Sequence, residues 1–182
     1  MKNFCESFLC SSKELKSVRN LVTVAMLTTI GIVINLFTIP ITPVMRISLG
    51  FLATSMIGML FGPIVAGMCG GMSDIINYLI IPNGPYFPGL TISGILAGIL
   101  YGIVLYNKKI TLARCIIVIV IETVSIDILL NTFWLSILYG KGFNVLIPLR
   151  AFKDIIMIPI KVFIMYFLLR LTVLHQKNYR QQ

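Results

Sequence analysis

Apolar residues run along this chain in long stretches, and Pro, Gly or charged residues interrupt them at intervals. A helix needs about 20 such residues to cross the hydrocarbon core of a membrane. The first stretch predicts a helix from about Val18 to Phe37, after which Pro40 and Pro43 break the chain into a loop that carries Arg46. A short second helix, about Ser48 to Leu60, ends at Gly62 and Pro63, and a third runs from about Ile64 to Ile81. The run Pro82-Asn83-Gly84-Pro85-Tyr86-Phe87-Pro88-Gly89 is strong turn chemistry and stops it. A fourth helix covers Leu90 to Tyr106, and a fifth spans about Ala113 to Leu138, closed by Tyr139, Gly140, Lys141 and Gly142. The sixth extends from near Pro148 to about Leu174, with a kink expected at Pro159.

The pattern thus predicts an all-α integral membrane protein, a bundle of six transmembrane helices. It forms a single domain over 1–182: an N-terminal tail 1–17, the bundle 18–174 and a C-terminal tail 175–182. Composition excludes a water-soluble fold. Of the 182 residues 58% are hydrophobic and 12% charged, against roughly 25% charged in soluble domains. Met1 to Lys16 has no apolar stretch before a cleavage site, so the first helix is expected to stay on the chain. Cys5, Cys10, Cys69 and Cys115 have neither a Cys-x-x-Cys pair nor a secreted spacing and are expected to be free thiols.

Charge sets orientation, because Lys and Arg are retained on the cytoplasmic side. Lys13, Lys16 and Arg19 precede helix one, Lys108, Lys109 and Arg114 join helices four and five, and Arg170, Lys177 and Arg180 follow helix six. With six spans all three clusters fall on one side, which makes both termini cytoplasmic. The net charge of +9 is then topological, and no nucleic-acid partner is expected; membrane lipid surrounds the bundle. The loops holding Arg46, Tyr86 and Lys141 gather on the outer side as the mouth of a candidate site.

Small residues recur every four positions at Gly58, Gly62, Ala66 and Gly70, and again at Gly94, Gly98 and Gly102. That spacing lets helix backbones approach closely in lipid, and packing within the bundle is the expected use. Helix one has a weaker version in Ala25 and Thr29.

Ionisable groups inside a span are costly and need a partner or a function. Here they are Asp74 in helix three, Glu122 and Asp127 in helix five, and Arg150, Lys153, Asp154 and Lys161 in helix six. Helical spacing places Asp127, Asn131, Trp134 and Leu138 on one face and Arg150, Lys153, Met157 and Lys161 on another, two polar walls of one cavity. Lys161 lies about 20 Å below the outer end of its helix, level with Asp127 and Glu122, and a buried ion pair is expected there. Lys141, Arg150 and Lys153 make the outer part cationic, which suits an anionic solute; interfacial anchoring explains Arg150 and Lys153 equally well. Trp134, beside Asn131, and Tyr86, Phe87 and Tyr139 offer flat rings to a planar heteroaromatic ligand, whereas an interfacial aromatic belt also accounts for Phe87 and Tyr139.

No phosphate-cradling Gly-x-x-x-x-Gly-Lys-Ser/Thr loop is present, and the sole histidine, His175, is in the tail. Neither catalysis nor a metal or other cofactor is expected. A small bundle with a ligand cavity and no energy source is either a passive carrier or a subunit that borrows energy.

Several segments together carry a family resemblance: Arg46-Ile-Ser-Leu-Gly, Leu60-Phe-Gly-Pro, Gly84-Pro-Tyr-Phe-Pro-Gly, Leu130-Asn-Thr-Phe-Trp-Leu, and Arg150 with Lys153. The chain resembles the substrate-binding subunits (S components) of energy-coupling factor (ECF) vitamin transporters of the bacterial cell membrane, in particular the folate branch. The resemblance implies that the bundle captures a vitamin outside and docks onto a membrane scaffold subunit driven by two ATPase subunits. It also implies docking through helix one, where Ala25 and Thr29 stand in place of the full Ala-x-x-x-Ala motif. The pterin of folate would stack on Trp134 or Tyr86 and bond to Asn131, and its glutamate would pair with Arg150, Lys153 or Arg46. Tyr139 and Lys141 complete the expected site. A sister vitamin, a non-catalytic assembly subunit and a membrane enzyme acting on lipid are the competing readings, the last weakened by how scattered Asp74, Glu122 and Asp127 are.

Overall fold

The computed structural model describes the backbone of residues 11, 17–37, 39–42, 45–47, 49–82, 86–139 and 143–179, and side chains throughout these except at 39–42, 45–47, 139, 143–146, 149–150 and 174–179. Helix α1 (Val18–Leu36) leads into a ribbon of two antiparallel strands, β1 (Ile39–Thr42) and β2 (Met45–Ile47), with Ile39 opposite Ile47 and Pro40 opposite Arg46. The sequence predicts only a loop here. Pro40 cannot donate to a ladder, but a two-stranded ribbon has free edges on both sides and tolerates it. Next come α2 (Phe51–Phe61), α3 (Pro63–Ile80) and α4 (Pro88–Leu105). Both α3 and α4 open on a proline, whose missing N–H costs nothing in the first turn. The sharp junction between α2 and α3 needs a left-handed residue, and Gly62 supplies it with φ +89°. There the Ser11 hydroxyl donates to the Phe61 carbonyl at 2.7 Å.

The predicted fifth helix is present in three consecutive pieces, α5 (Leu112–Glu122), a π-helical segment (Thr123–Leu130) and α6 (Asn131–Tyr139). Glu122 and Asn131 keep helical dihedrals at the two joints, so the rod is continuous. The final helix α7 (Phe143–Tyr179) runs through both Pro148 and Pro159 and exceeds its expected bounds by more than a turn at each end.

Successive helices lie antiparallel. Asn35, near the end of α1, accepts a hydrogen bond from the Gly50 amide at 3.1 Å, and Gly31 abuts Ala53 of α2. The closest packing joins α3 to α4 through the small residues singled out above. A methyl group on Gly98 would strike the Ala66 carbonyl, and one on Gly102 would strike Pro63; Gly70 faces Gly94 in the same way. Gly58 of α2 meets the backbone of Gly102. The expectation of packing within the bundle therefore holds for these glycines. One end of the bundle collects the ribbon, the end of α3, the start of α4, α6 and the start of α7, and is called the ribbon end below.

The distribution of polarity is that of a protein in lipid. Ser55, Thr91, Ser93, Glu122, Thr123, Thr132 and Asp154 are buried, whereas Met26, Ile92, Phe152, Phe163 and Phe167 face outward. Four helical segments, Val18–Leu36, Pro63–Ile80, Pro88–Leu105 and Ala151–Val173, are long and apolar enough to cross a membrane, and Phe51–Phe61 is a shorter apolar helix. Cys69 and Cys115 are free and buried, as expected; Cys5 and Cys10 lie outside the described residues.

Because the α3–α4 contact is backbone on backbone, nothing there yields to an added methyl. Gly98→Ala should cost about 1–3 kcal/mol and lower the unfolding temperature in detergent, whereas Ile92→Ala on the outward face should leave it within error.

Candidate functional site

Two polar constructions meet near the middle of the bundle and extend toward the ribbon end. The first is an ion-pair cluster. Lys161 of α7 reaches the π-helical segment, where its Nζ lies 2.9 Å from Asp127 Oδ2 and 3.7 Å from Glu122 Oε2 at the end of α5. Asn131 Nδ2 donates to Asp127 Oδ1 at 3.3 Å, and the Lys161 ammonium stands 5.7 Å from the centre of the Phe51 ring. The buried pair predicted for Lys161 is therefore present, with both candidate acids taking part. The Thr132 hydroxyl also contacts the Asp127 carbonyl five residues back, at 3.4 Å, the spacing of a π turn. Nearer the ribbon end, Lys153 Nζ lies 2.9 Å from Asp154 Oδ1 on the same helix, an ion pair without hydrogen-bond alignment.

The second construction is a cavity of about 160 Å³ enclosed by α1, α2, α3 and α4 and reaching Glu122. Its polar lining includes Asn35, Thr54, Ser73, Asp74, Asn77 and Tyr101, and among the described residues no lysine or arginine lines it. Asp74 is held from α4: the Thr91 hydroxyl donates to Asp74 Oδ2 at 2.7 Å and lies 2.9 Å from the Tyr86 hydroxyl. Helix spacing explains the set, since Asp74 and Asn77 are one turn apart on α3 and Thr91 crosses that turn from α4. Tyr86 also packs against Tyr78, ring centres 5.1 Å apart.

Trp134 occupies the other side of the start of α4. It lies against Gly89, where a methyl group would strike its indole, and its ring centre is 5.5 Å from Phe87 and 5.1 Å from Phe133. Its Nε1, together with Asn131 Oδ1, is buried without a hydrogen-bond partner among the described residues.

Among the predicted site residues, Asn131 thus joins the Lys161 cluster, Trp134 an aromatic cluster at Gly89, and Tyr86 the hydrogen-bond chain through Thr91 to Asp74. Lys153 pairs with Asp154. Lys141 lies outside the described residues, as do the side chains of Arg46, Tyr139 and Arg150, whose backbones lie in β2, at the end of α6 and in α7 respectively. Ala25 and Thr29 are exposed on α1, with Thr29 Oγ1 bonded to the Ala25 carbonyl at 2.9 Å. The sequence reading missed Thr91, Asn77 and Tyr101. Asn77 was detectable as the polar residue one turn beyond Asp74, whereas a lone Thr or Tyr in an apolar helix carries no such signal.

Comparison with known proteins follows the same lines. The family model "ECF transporter, substrate-specific component" matches residues 19–169. A protein of Clostridium novyi (strain NT) named "Folate transporter FolT" is 40% identical over 152 residues, covering 84% of this chain and 88% of the relative. A protein of the same name from Leuconostoc mesenteroides is 29% identical over 162 residues, 86% and 87% of the two chains. A crystal structure titled "Crystal structure of FolT bound with folic acid" superposes with a TM-score of 0.76 at 35% identity, over 83% of this chain and 91% of that one.

Removing one partner of a buried charge cluster leaves the others uncompensated. Lys161→Met should therefore cost about 3 kcal/mol or more in detergent unfolding, and adding Asp127→Asn to it should recover part of the loss.

Proposed function

The chain belongs to the substrate-specific components of ECF transporters, and from that premise we propose that it is the folate-binding S component of such a transporter. The observation that carries this reading is its likeness, over most of both chains, to a relative solved with folic acid. A multi-pass bundle of this family binds a solute and does not transform it, so transport energy comes from partner subunits.

In this reading the rods cross the bacterial cell membrane six times, with 1–17 and 175–182 in the cytoplasm and the ribbon end outside. The placement of Lys108, Lys109, Arg114 and Arg170 supports it, because all four lie at or toward the opposite end. Folate enters at the ribbon end. Its glutamate carboxylates meet the cationic side chains of Arg46, Lys141, Arg150 and Lys153, charge-assisted contacts worth more than neutral ones. Tyr86, Trp134 and Tyr139 supply aromatic faces for the ring system, and the unpaired oxygen of Asn131 accepts a hydrogen bond.

Delivery requires docking on the membrane scaffold subunit and its two ATPases. Helix α1 suits this role: Val24, Gly31 and Ile32 bury one side, while Ala25 and Thr29 lie exposed one turn apart on another. Such small residues let a second helix approach closely.

Two measurements test the proposal. Trp134, the sole tryptophan, should be quenched saturably by folic acid at half-saturation below about 1 μM, with no response to pantothenate or thiamine; quenching by either control instead would assign a sister vitamin. Ala25→Trp should bind folic acid as the unmodified protein does and fail to co-purify with the scaffold subunit, and intact co-purification would remove α1 from the docking surface.

A further inference from the structure

The outward flank of the α3–α4 contact carries an apolar groove that neither ligand binding nor docking through α1 employs. Ile64, Met68, Met72 and Ile75 of α3 and Ile95 and Ile99 of α4 rim a space of about 440 Å³. Its floor includes Gly67 and Gly71, both buried, where an added methyl would strike the side chains of Ile99 and Ile95. Both walls belong to segments long and apolar enough to cross a membrane, and Met68 and Met72 are exposed, so the groove opens to lipid.

Size selects the occupant. From Ile64 to Ile75 the groove follows about 16 Å of helix, which with its volume gives a cross-section of about 27 Å². A second helix, about 10 Å across and so about 80 Å² in section, cannot enter, whereas one unbranched hydrocarbon chain can. Apolar fit alone does not retain such a chain, because the surrounding bilayer is as apolar as the groove. Retention needs a polar anchor at one end.

That anchor stands where α4 ends. Gly102 meets Pro63, so the Ile64 end of the groove and the loop after α4 share one end of the bundle. Ile95, Ile99 and Ile103 follow one face of α4 at four-residue spacing, and the exposed Lys108 donates through its Nζ to the Ile103 carbonyl at 2.9 Å. The ammonium therefore lies about one turn past Ile99, on the line of the groove, with two further N–H donors to give. Lys109 is exposed beside it, and Arg114 donates to the Lys109 carbonyl at 3.2 Å. Among the described residues none of the three pairs with a carboxylate. Retention of basic residues on the cytoplasmic side explains their sign, but not a cation set at the end of a groove of hydrocarbon width. We propose that the α3–α4 groove and the Lys108 loop form a binding site for one anionic phospholipid. One acyl chain lies in the groove between Ile64 and Ile75, and the headgroup phosphate meets Lys108 and Lys109.

The test titrates the full chain, in a neutral detergent, with dioleoylphosphatidylglycerol or dioleoylphosphatidylcholine and reads bound lipid by native mass spectrometry and thermal unfolding. The protein should hold one phosphatidylglycerol at least about tenfold more tightly than phosphatidylcholine, since each nearby Lys adds attraction for an anionic headgroup. Lys108→Ala with Lys109→Ala, both on exposed side chains, should remove that preference and keep the lipid-free unfolding temperature. Met68→Phe with Met72→Phe fills the groove with rigid rings and should abolish retention of the lipid. Equal affinity for the two lipids would overturn the proposal, as would a preference that survives either pair of substitutions. If the Met variant keeps the lipid but no longer co-purifies with the scaffold subunit, the groove belongs to that subunit. If a two-chain mass persists in excess lipid, it belongs to a second copy, and either result overturns the proposal too. None of these outcomes depends on folic acid, so the folate reading is decided separately.

Discussion

Helices surrounded by lipid gain nothing by hiding apolar side chains from one another, so they associate where backbones come close enough for dense contact. In this protein that constraint is met between α3 and α4, where Gly70, Gly94, Gly98 and Gly102 put backbone against backbone. The rest of the ribbon end depends on it. The same register that sets Gly94 on Gly70 brings Thr91 onto Asp74 and leaves Tyr86 above them. It also presents Gly89 on the other flank, where the indole of Trp134 fits only because there is no side chain. One close contact thus fixes both the carboxylate of the cavity and the aromatic wall beside it.

Charge divides what packing brings together. The acids within the bundle have different settings: Asp127 and Glu122 share Lys161, Asp154 has Lys153 beside it, and Asp74 accepts from the Thr91 hydroxyl. The Lys161 cluster ties α7 to the end of α5 and the π-helical segment, which is a structural task. Asp74 instead lines a cavity whose described lining holds no lysine or arginine. The cavity reached by Asp74 and Glu122 is therefore distinct from the ion-pair clusters on α7.

Much of this was legible in the chain. Runs of apolar residues and proline or glycine breaks located the helices to within a turn over α1 to α4, because hydrocarbon thickness and turn chemistry leave little choice there. The four-residue spacing of glycines foretold which surfaces would meet, and the Lys161 pair followed from depth alone. The ribbon at Ile39–Ile47 was hidden, since Pro40 and Pro43 read as loop and strand pairing depends on residues facing each other across a turn. The π-helical stretch was hidden as well: Thr123–Leu130 has nothing in its composition to announce wide turns. Thr91 and Tyr101 became visible only when α3, α4 and Glu122 were placed around a common space. Long-range partnership of single polar residues is a property of the fold, whereas periodicity is a property of the chain.

The most direct measurement is an experimental structure of the protein bound to folic acid. The account predicts folic acid bound at the ribbon end, with its ring system among the aromatic side chains that include Tyr86 and Trp134. Folic acid held away from the ribbon end, or absent from a structure grown in its excess, would contradict it.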